Sequence, residues 1–319
     1  MKIVILGTGG LGSVIGAHLA RAGEEVVCIS RGLRAAFVQQ RGLCINGLAE
    51  FTVPVKVVID PREIQEADVL IVTVKTYDTE LALASVRHIA FGSVMSLQNG
   101  VLKNEQLAQV FGWEKVLGAA TFVGGELLPD GTVRFTLNEE SIVGELPTGT
   151  SERVHSLVAT LNRAGILAEA SPQIQTVEWS KYVLFVAGMA LAVLTRLEMY
   201  KYLKDSNGAL VMAQLTQETG ALAARLGIPL EDRGLFPAKM LSNSGLPEAI
   251  TIIQHVGAIL EERAPTHRAS TLHDLEKGRR LEVEETLGYT VRKGMELKLP
   301  LPTVGICYQL MAAINRYIQ

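Results

Sequence analysis

Short β-branched runs alternate with helical stretches through the first half of the chain, a pattern that predicts a parallel sheet covered by helices. Strands are expected near 2–6, 25–30, 53–58, 69–74, 94–97 and 115–118. Two further runs, 132–136 and 141–144, are separated by the polar residues Asn138 to Glu140 and predict a hairpin at the sheet edge. From Ser151 the apolar spacing turns helical. Beyond about Ser171 there is no strand pattern, only segments of period near 3.6 such as 209–226, 247–260 and 281–297. Glu169-Ala-Ser-Pro172 breaks the pattern, so the boundary is placed near 168 to 172, with an α/β domain over 1–168 and an all-α domain over 169–319.

The first strand runs into Gly7-Thr8-Gly9-Gly10-Leu11-Gly12, a G-x-G-x-x-G that opens a helix closed by Gly23. Gly7 would permit the tight turn, Gly9 would let a pyrophosphate approach the backbone, and Gly12 would let helix and strand pack closely. The helix amino terminus would stabilise phosphate charge, which makes this half a Rossmann dinucleotide-binding domain. A plain glycine-rich turn is the alternative. A chain that takes NAD usually ends its second strand on a carboxylate, but here it ends Cys28-Ile29-Ser30-Arg31. Ser30 and Arg31, assisted by Arg34, suit a ribose 2'-phosphate, so the expected cofactor is NADP(H). A solvated loop arginine is the alternative for Arg31.

Strand ends face the ligand crevice in open α/β sheets, which singles out Thr73-Val74-Lys75 and Gln98-Asn99-Gly100. A surface lysine and an ordinary Asn-Gly turn are the competing readings.

Length and charge narrow the function. With 319 residues the chain is long enough for two domains. Its 30 basic and 33 acidic residues give a net charge of -3 with no basic run, which argues against nucleic acid and for a small-molecule partner. The longest apolar run, 183–194, is shorter than the roughly 20 residues of a membrane span, so no membrane is expected. The amino terminus has no signal-peptide architecture, and Cys28, Cys44 and Cys307 share no metal-like spacing, so a cytoplasmic, metal-free protein is expected.

These features resemble the ketopantoate reductase (2-dehydropantoate 2-reductase) family over essentially the whole chain. The resemblance is carried by Gly7-Gly9-Gly12, Arg31, Val74-Lys75, Gln98-Asn99-Gly100, Trp179-x-Lys181, Ser270-x-x-x-Asp274, Gly278-Arg279 and Glu282. It implies a Rossmann domain followed by a helical domain of the 6-phosphogluconate-dehydrogenase type. The implied activity is that of an oxidoreductase: NADPH-dependent reduction of ketopantoate to pantoate, in pantothenate and coenzyme A biosynthesis. By the same resemblance Lys181 is the catalytic lysine and Glu282 its acidic partner toward the cofactor ribose and substrate. Ser270 binds substrate, and Lys75 and Asn99 lie near the nicotinamide. The final helix, 304–318, is a candidate packing element for a homodimer, an expectation that rests mainly on the family.

The chemistry suits these residue types. Hydride delivered to a ketone carbon leaves charge on oxygen, which a lysine ammonium can stabilise and protonate. A snorkelling Lys181, a solvated Glu282 and a helix-capping Ser270 are the bland alternatives. The family usually carries asparagines four and eight residues after the catalytic lysine, on one helix face. Here those positions are Phe185 and Met189, and His267 stands where the family often has asparagine. A reductase of a more apolar 2-oxo acid is therefore a competing expectation, and a non-catalytic NADPH-binding protein is one of another class. Protonation of His267 would make activity sensitive to pH near neutrality.

Overall fold

The computed structural model describes residues 1–318 and divides into two compact units, one of Met1–Asn99 with Lys103–Gln175 and one of Gly100–Leu102 with Thr176–Gln319.

In the first unit, β1 (Lys2–Leu6) leads into α1 (Gly10–Arg21), β2 (Glu25–Ile29) and α2 (Gly32–Arg41). A short hairpin follows, β3 (Leu43–Gly47) and β4 (Phe51–Val53), then β5 (Lys56–Val58) and β6 (Glu66–Val72). The chain continues through α3 (Thr79–Val86), β7 (Ala90–Ser96), α4 (Leu102–Phe111), β8 (Val116–Leu127), β9 (Val133–Glu145), α5 (Glu152–Arg163) and β10 (Ala168–Ala170). The ten strands form one sheet in the order β4-β3-β9-β8-β7-β6-β1-β2-β5, with β10 beside β9. From β5 to β8 the pairs are parallel and follow a doubly wound order that reverses direction at β1. Both faces are buried: Ile3 and Ile5 point into one apolar layer, Val4 and Leu6 into the other, as a period of two requires.

Two expectations are corrected here. The expected strand 53–58 is two strands, β4 and β5, because Pro54 has no N–H to donate and breaks the ladder. The runs 132–136 and 141–144 are not a hairpin but one continuous strand, β9, whose antiparallel partner is β8. Register shifts on β8 at Thr121/Val123 and Gly124/Gly125 take up the polar stretch, and Asn138 bonds outward to the Gly165 carbonyl.

The second unit is helical. Its longest helix, α6 (Ile174–Thr195), is followed by α7 (Met199–Lys204), α8 (Ser206–Arg225), α9 (Ala238–Asn243), α10 (Leu246–Arg263), α11 (Ser270–Glu276), α12 (Leu287–Glu296) and α13 (Pro302–Arg316). Among the described residues α6 is the one helix long and apolar enough to cross a membrane, but Tyr182, Val186, Met189, Ala190 and Val193 are core side chains of this unit. Helix α10 crosses α7 at Gly257, where a Cβ would come within 2.9 Å of the Leu203 and Lys204 side chains.

Candidate active site

The turn between β1 and α1 is built by close backbone approaches that exclude side chains. A Cβ on Gly12 would lie 2.0 Å from the Gly7 carbonyl oxygen, and one on Gly10 would lie 2.0 Å from the Gly125 carbonyl oxygen. Gly7 itself has φ +104°, the left-handed side of the map that glycine tolerates. The bulge at Gly124/Gly125 in β8 therefore receives the start of α1, a partner the sequence pattern did not point to.

Side chains then fix the turn. The Thr73 hydroxyl donates to the Gly7 carbonyl at 2.7 Å, Ser13 donates to the Thr8 carbonyl at 3.0 Å, and the Thr8 and Ser30 hydroxyls bond to each other at 2.6 Å. Arg34 donates to the Thr8 carbonyl, the Ser13 hydroxyl and the Gly131 carbonyl. Ser30 and Arg34, expected beside a 2'-phosphate, thus serve the turn itself, whereas Arg31 is exposed at the N-cap of α2 with no capping side-chain bond.

The turn fits a dinucleotide. Gly9, the N-cap of α1, has no capping side chain, and a Cβ there would meet nothing within 4 Å. The first-turn N–H groups of α1 and an open glycine together leave room for a phosphate. Leu11 follows on α1, half-buried.

At the ends of β6 and β7, Lys75 and Asn99 are half-buried. Between them Gln98 is a scaffold residue: its amide donates to the Val74 carbonyl and the Thr79 hydroxyl, and its oxygen accepts from Ser96. The buried ammonium of Lys103 donates to the carbonyls of Gln98 and Ala119, a contact that sequence reading also missed.

In the second unit, Lys181 is half-buried on α6 next to Tyr182, which is fully buried. The Tyr182 hydroxyl donates to the Thr286 carbonyl at 2.9 Å and shares a 2.7 Å bond with the Thr290 hydroxyl. Thr286 in turn donates to the Glu282 carbonyl and to the Met189 sulfur. These bonds bring the segment of α6 that carries Lys181 together with the loop that carries buried Glu282. Gly100 belongs to the same neighbourhood, since a Cβ there would lie 3.8 Å from the Glu285 carbonyl and 4.0 Å from the Tyr182 ring. Burial raises the carboxyl pKa of Glu285, with Glu282 and Glu284 adding repulsion that Arg280 opposes. Burial also raises the Tyr182 pKa, so its phenol stays a neutral donor.

The substrate candidates differ in setting. Phe185 is half-buried, but Met189 is only 1% exposed and its sulfur accepts from Thr286, so it is a core side chain. Ser270 is exposed and is the first residue of α11; Ala269 is the N-cap, so the serine is not acting as a cap. His267 lies in the loop before it. Partial desolvation and the nearby His273 lower its ring pKa below 6.5.

Comparison with known proteins accounts for the whole chain. The profile of ketopantoate reductase PanE/ApbA matches residues 3–148, and the profile of its C-terminal domain matches 173–315. The chain belongs to the ketopantoate reductase family. It is 30% identical to a 2-dehydropantoate 2-reductase of Archaeoglobus fulgidus over 92% of this chain and 91% of that one. A solved PanE/ApbA family ketopantoate reductase from Ralstonia eutropha superposes with a TM-score of 0.84 at 27% identity, covering 100% of both chains. D-mandelate dehydrogenase with NADH and anilino(oxo)acetate shares the fold, with a TM-score of 0.85 at 21% identity over 100% of this chain and 99% of that one. Ketopantoate reductases are oxidoreductases, and the expected Rossmann domain with a helical second half is the architecture seen here.

Proposed function

We propose that the protein reduces ketopantoate to pantoate with NADPH, a cytoplasmic step toward pantothenate and coenzyme A. The observation that carries this reading is the Tyr182–Thr286–Glu282 chain of bonds, which places Lys181 and Glu282 on neighbouring pieces of one unit. By resemblance to the family, Lys181 is the proton donor and Glu282 its acidic partner.

Bound at the glycine-rich turn, a nicotinamide dinucleotide supplies a hydride. The protein's own residues do the rest. The N–H groups at the start of α1 would meet the phosphate charge, and exposed Arg31 would meet a ribose 2'-phosphate, with no carboxylate at the end of β2 to repel it. Lys75 and Asn99, just past the ends of β6 and β7, would hold the nicotinamide end. The Lys181 ammonium donates a hydrogen bond to the ketone oxygen and transfers its proton as negative charge grows there. Glu282 is the acidic partner of Lys181 in this reading, and Ser270 and His267 donate to the substrate carboxylate.

A second reading is favoured by one observation: one helical turn after Lys181 stands half-buried Phe185 rather than an amide, which suits a 2-oxo acid with a more apolar tail. NADPH oxidation followed with ketopantoate beside a panel of apolar 2-oxo acids separates the two. Efficient turnover of ketopantoate supports the first reading; an inert ketopantoate with turnover of an apolar acid replaces it. Arg31→Ala is expected to weaken NADPH binding and leave NADH binding unchanged, and an equal effect on both would remove Arg31 from the 2'-phosphate site.

A further inference from the structure

Arg34 stands out among the groups that the proposed chemistry does not use. It lies on α2, 26 residues from Thr8 in sequence, and its guanidinium reaches three separate segments. Nε donates to the Thr8 carbonyl at 2.9 Å, Nη2 to the Ser13 hydroxyl at 2.9 Å, and Nη1 to the Gly131 carbonyl at 2.6 Å. Those acceptors belong to the glycine-rich turn, to α1 and to the loop joining β8 to β9. The guanidinium carbon sits 5.3 Å from the centre of the Phe37 ring, and that ring fills the space at Gly131, where a Cβ would come within 2.5 Å of it.

All three acceptors are neutral. Among the described residues no carboxylate pairs with Arg34, although the side chain is partly buried and burial lowers its pKa. A partly buried cation without a counter-ion is costly, and an anion arriving nearby relieves that cost. The Thr8 carbonyl that Arg34 holds is part of the turn whose open face is the phosphate site described above.

We propose that Arg34 is the positioning residue of this turn: it locks the turn, α1 and the β8–β9 loop in the dinucleotide-binding geometry, and its unpaired charge completes the field felt by the pyrophosphate. The proposal rests on the reading that the first unit binds a nicotinamide dinucleotide. It differs from the role of Arg31 in a way that can be measured. A positioning residue acting on the pyrophosphate affects NADPH and NADH alike, whereas a 2'-phosphate ligand affects NADPH alone.

The test is equilibrium titration of the free protein with NADPH and with NADH at several salt concentrations, for the wild type, Arg34→Met and Arg34→Lys. Methionine keeps an apolar stem against Phe37 and removes the charge and the fork. It is expected to weaken both dinucleotides by the same factor, about 10- to 100-fold, and to flatten the salt dependence of binding. Lysine keeps the charge but one point donor cannot span three acceptors. It should restore the salt dependence while leaving affinity about 10-fold low, a split that loss of packing alone would not produce. Unchanged affinity in Arg34→Met, or a loss confined to NADPH, overturns the proposal; if that variant does not fold, unchanged affinity for both dinucleotides in Arg34→Lys overturns it. A wild-type protein that binds neither dinucleotide refutes the underlying reading before any variant is made.

Discussion

The phenol of Tyr182 donates to the main-chain carbonyl of Thr286 across 104 positions of sequence, and the two residues together hold α6 against the loop that carries Glu282. The bond is buried, and its donor stays protonated because burial raises the phenol pKa. Its consequence is positional: the residue before Tyr182 is Lys181.

Tyr182→Phe keeps the ring and its edge-on contacts with Trp179 and Tyr289 while deleting this bond. The Thr286 carbonyl retains its helical bond from the Thr290 N–H, so the stability loss should be modest, about 1 kcal/mol by urea unfolding. Turnover should fall by a larger factor than stability suggests, while NADPH affinity stays unchanged. Full turnover in Tyr182→Phe would mean that the latch does not set the catalytic geometry.

Two glycines of the turn should respond oppositely to the same added methyl group. Gly10→Ala drives a Cβ into the Gly125 carbonyl and should lower the melting temperature. Gly9→Ala meets nothing in the free protein, so its melting temperature should match the wild type while dinucleotide affinity drops at least about tenfold. Thermal melts and binding titrations on the two variants check both halves.

His18 gives a pH signature to stability. Its ring lies between the edges of Phe51 and Phe135, Nδ1 donates to the Ala164 carbonyl, and among the described residues Nε2 has no partner. Burial, with Arg21 adding repulsion, lowers its pKa below 6.5 despite the opposing bond to Ala164. The unfolded chain then holds more protons between the two values, so this stability is complete above 6.5 and is lost as pH falls through the folded pKa. Melting temperature should decline over that window in the wild type and decline less in His18→Gln. Parallel declines would show that other groups carry the effect.

For His267 the lowered pKa predicts a flat contribution at neutral pH. His267→Asn should leave the shape of the pH profile of kcat/KM unchanged above about pH 6.5, measured on whichever 2-oxo acid the enzyme turns over. A limb that vanishes in the variant above that pH would contradict this.

The parts of the fold that were legible from the sequence are those whose cause is local. β1 and β2 are β-branched runs, the glycines of the turn sit at fixed offsets, and α8 and α10 repeat apolar positions at helical spacing. What was missed depends on distant partners. β9 appeared broken because its polar middle has meaning only opposite the bulged β8. Nothing near Arg34 in sequence indicates that Thr8, Ser13 and Gly131 accept its donors. Buried Lys103 and core-facing Met189 were hidden in the same way, the first by two carbonyls and the second by Thr286. Pro54 is the exception, a local signal that should have divided β4 from β5 at once.

If Lys181 delivers the proton to a 2-oxo acid reduced by NADPH, Lys181→Ala loses turnover and keeps its NADPH affinity. A fall in kcat of about 100- to 10,000-fold with NADPH binding unchanged is the predicted result. A variant that reduces the wild type's best 2-oxo acid at the wild-type rate would remove Lys181 from proton transfer.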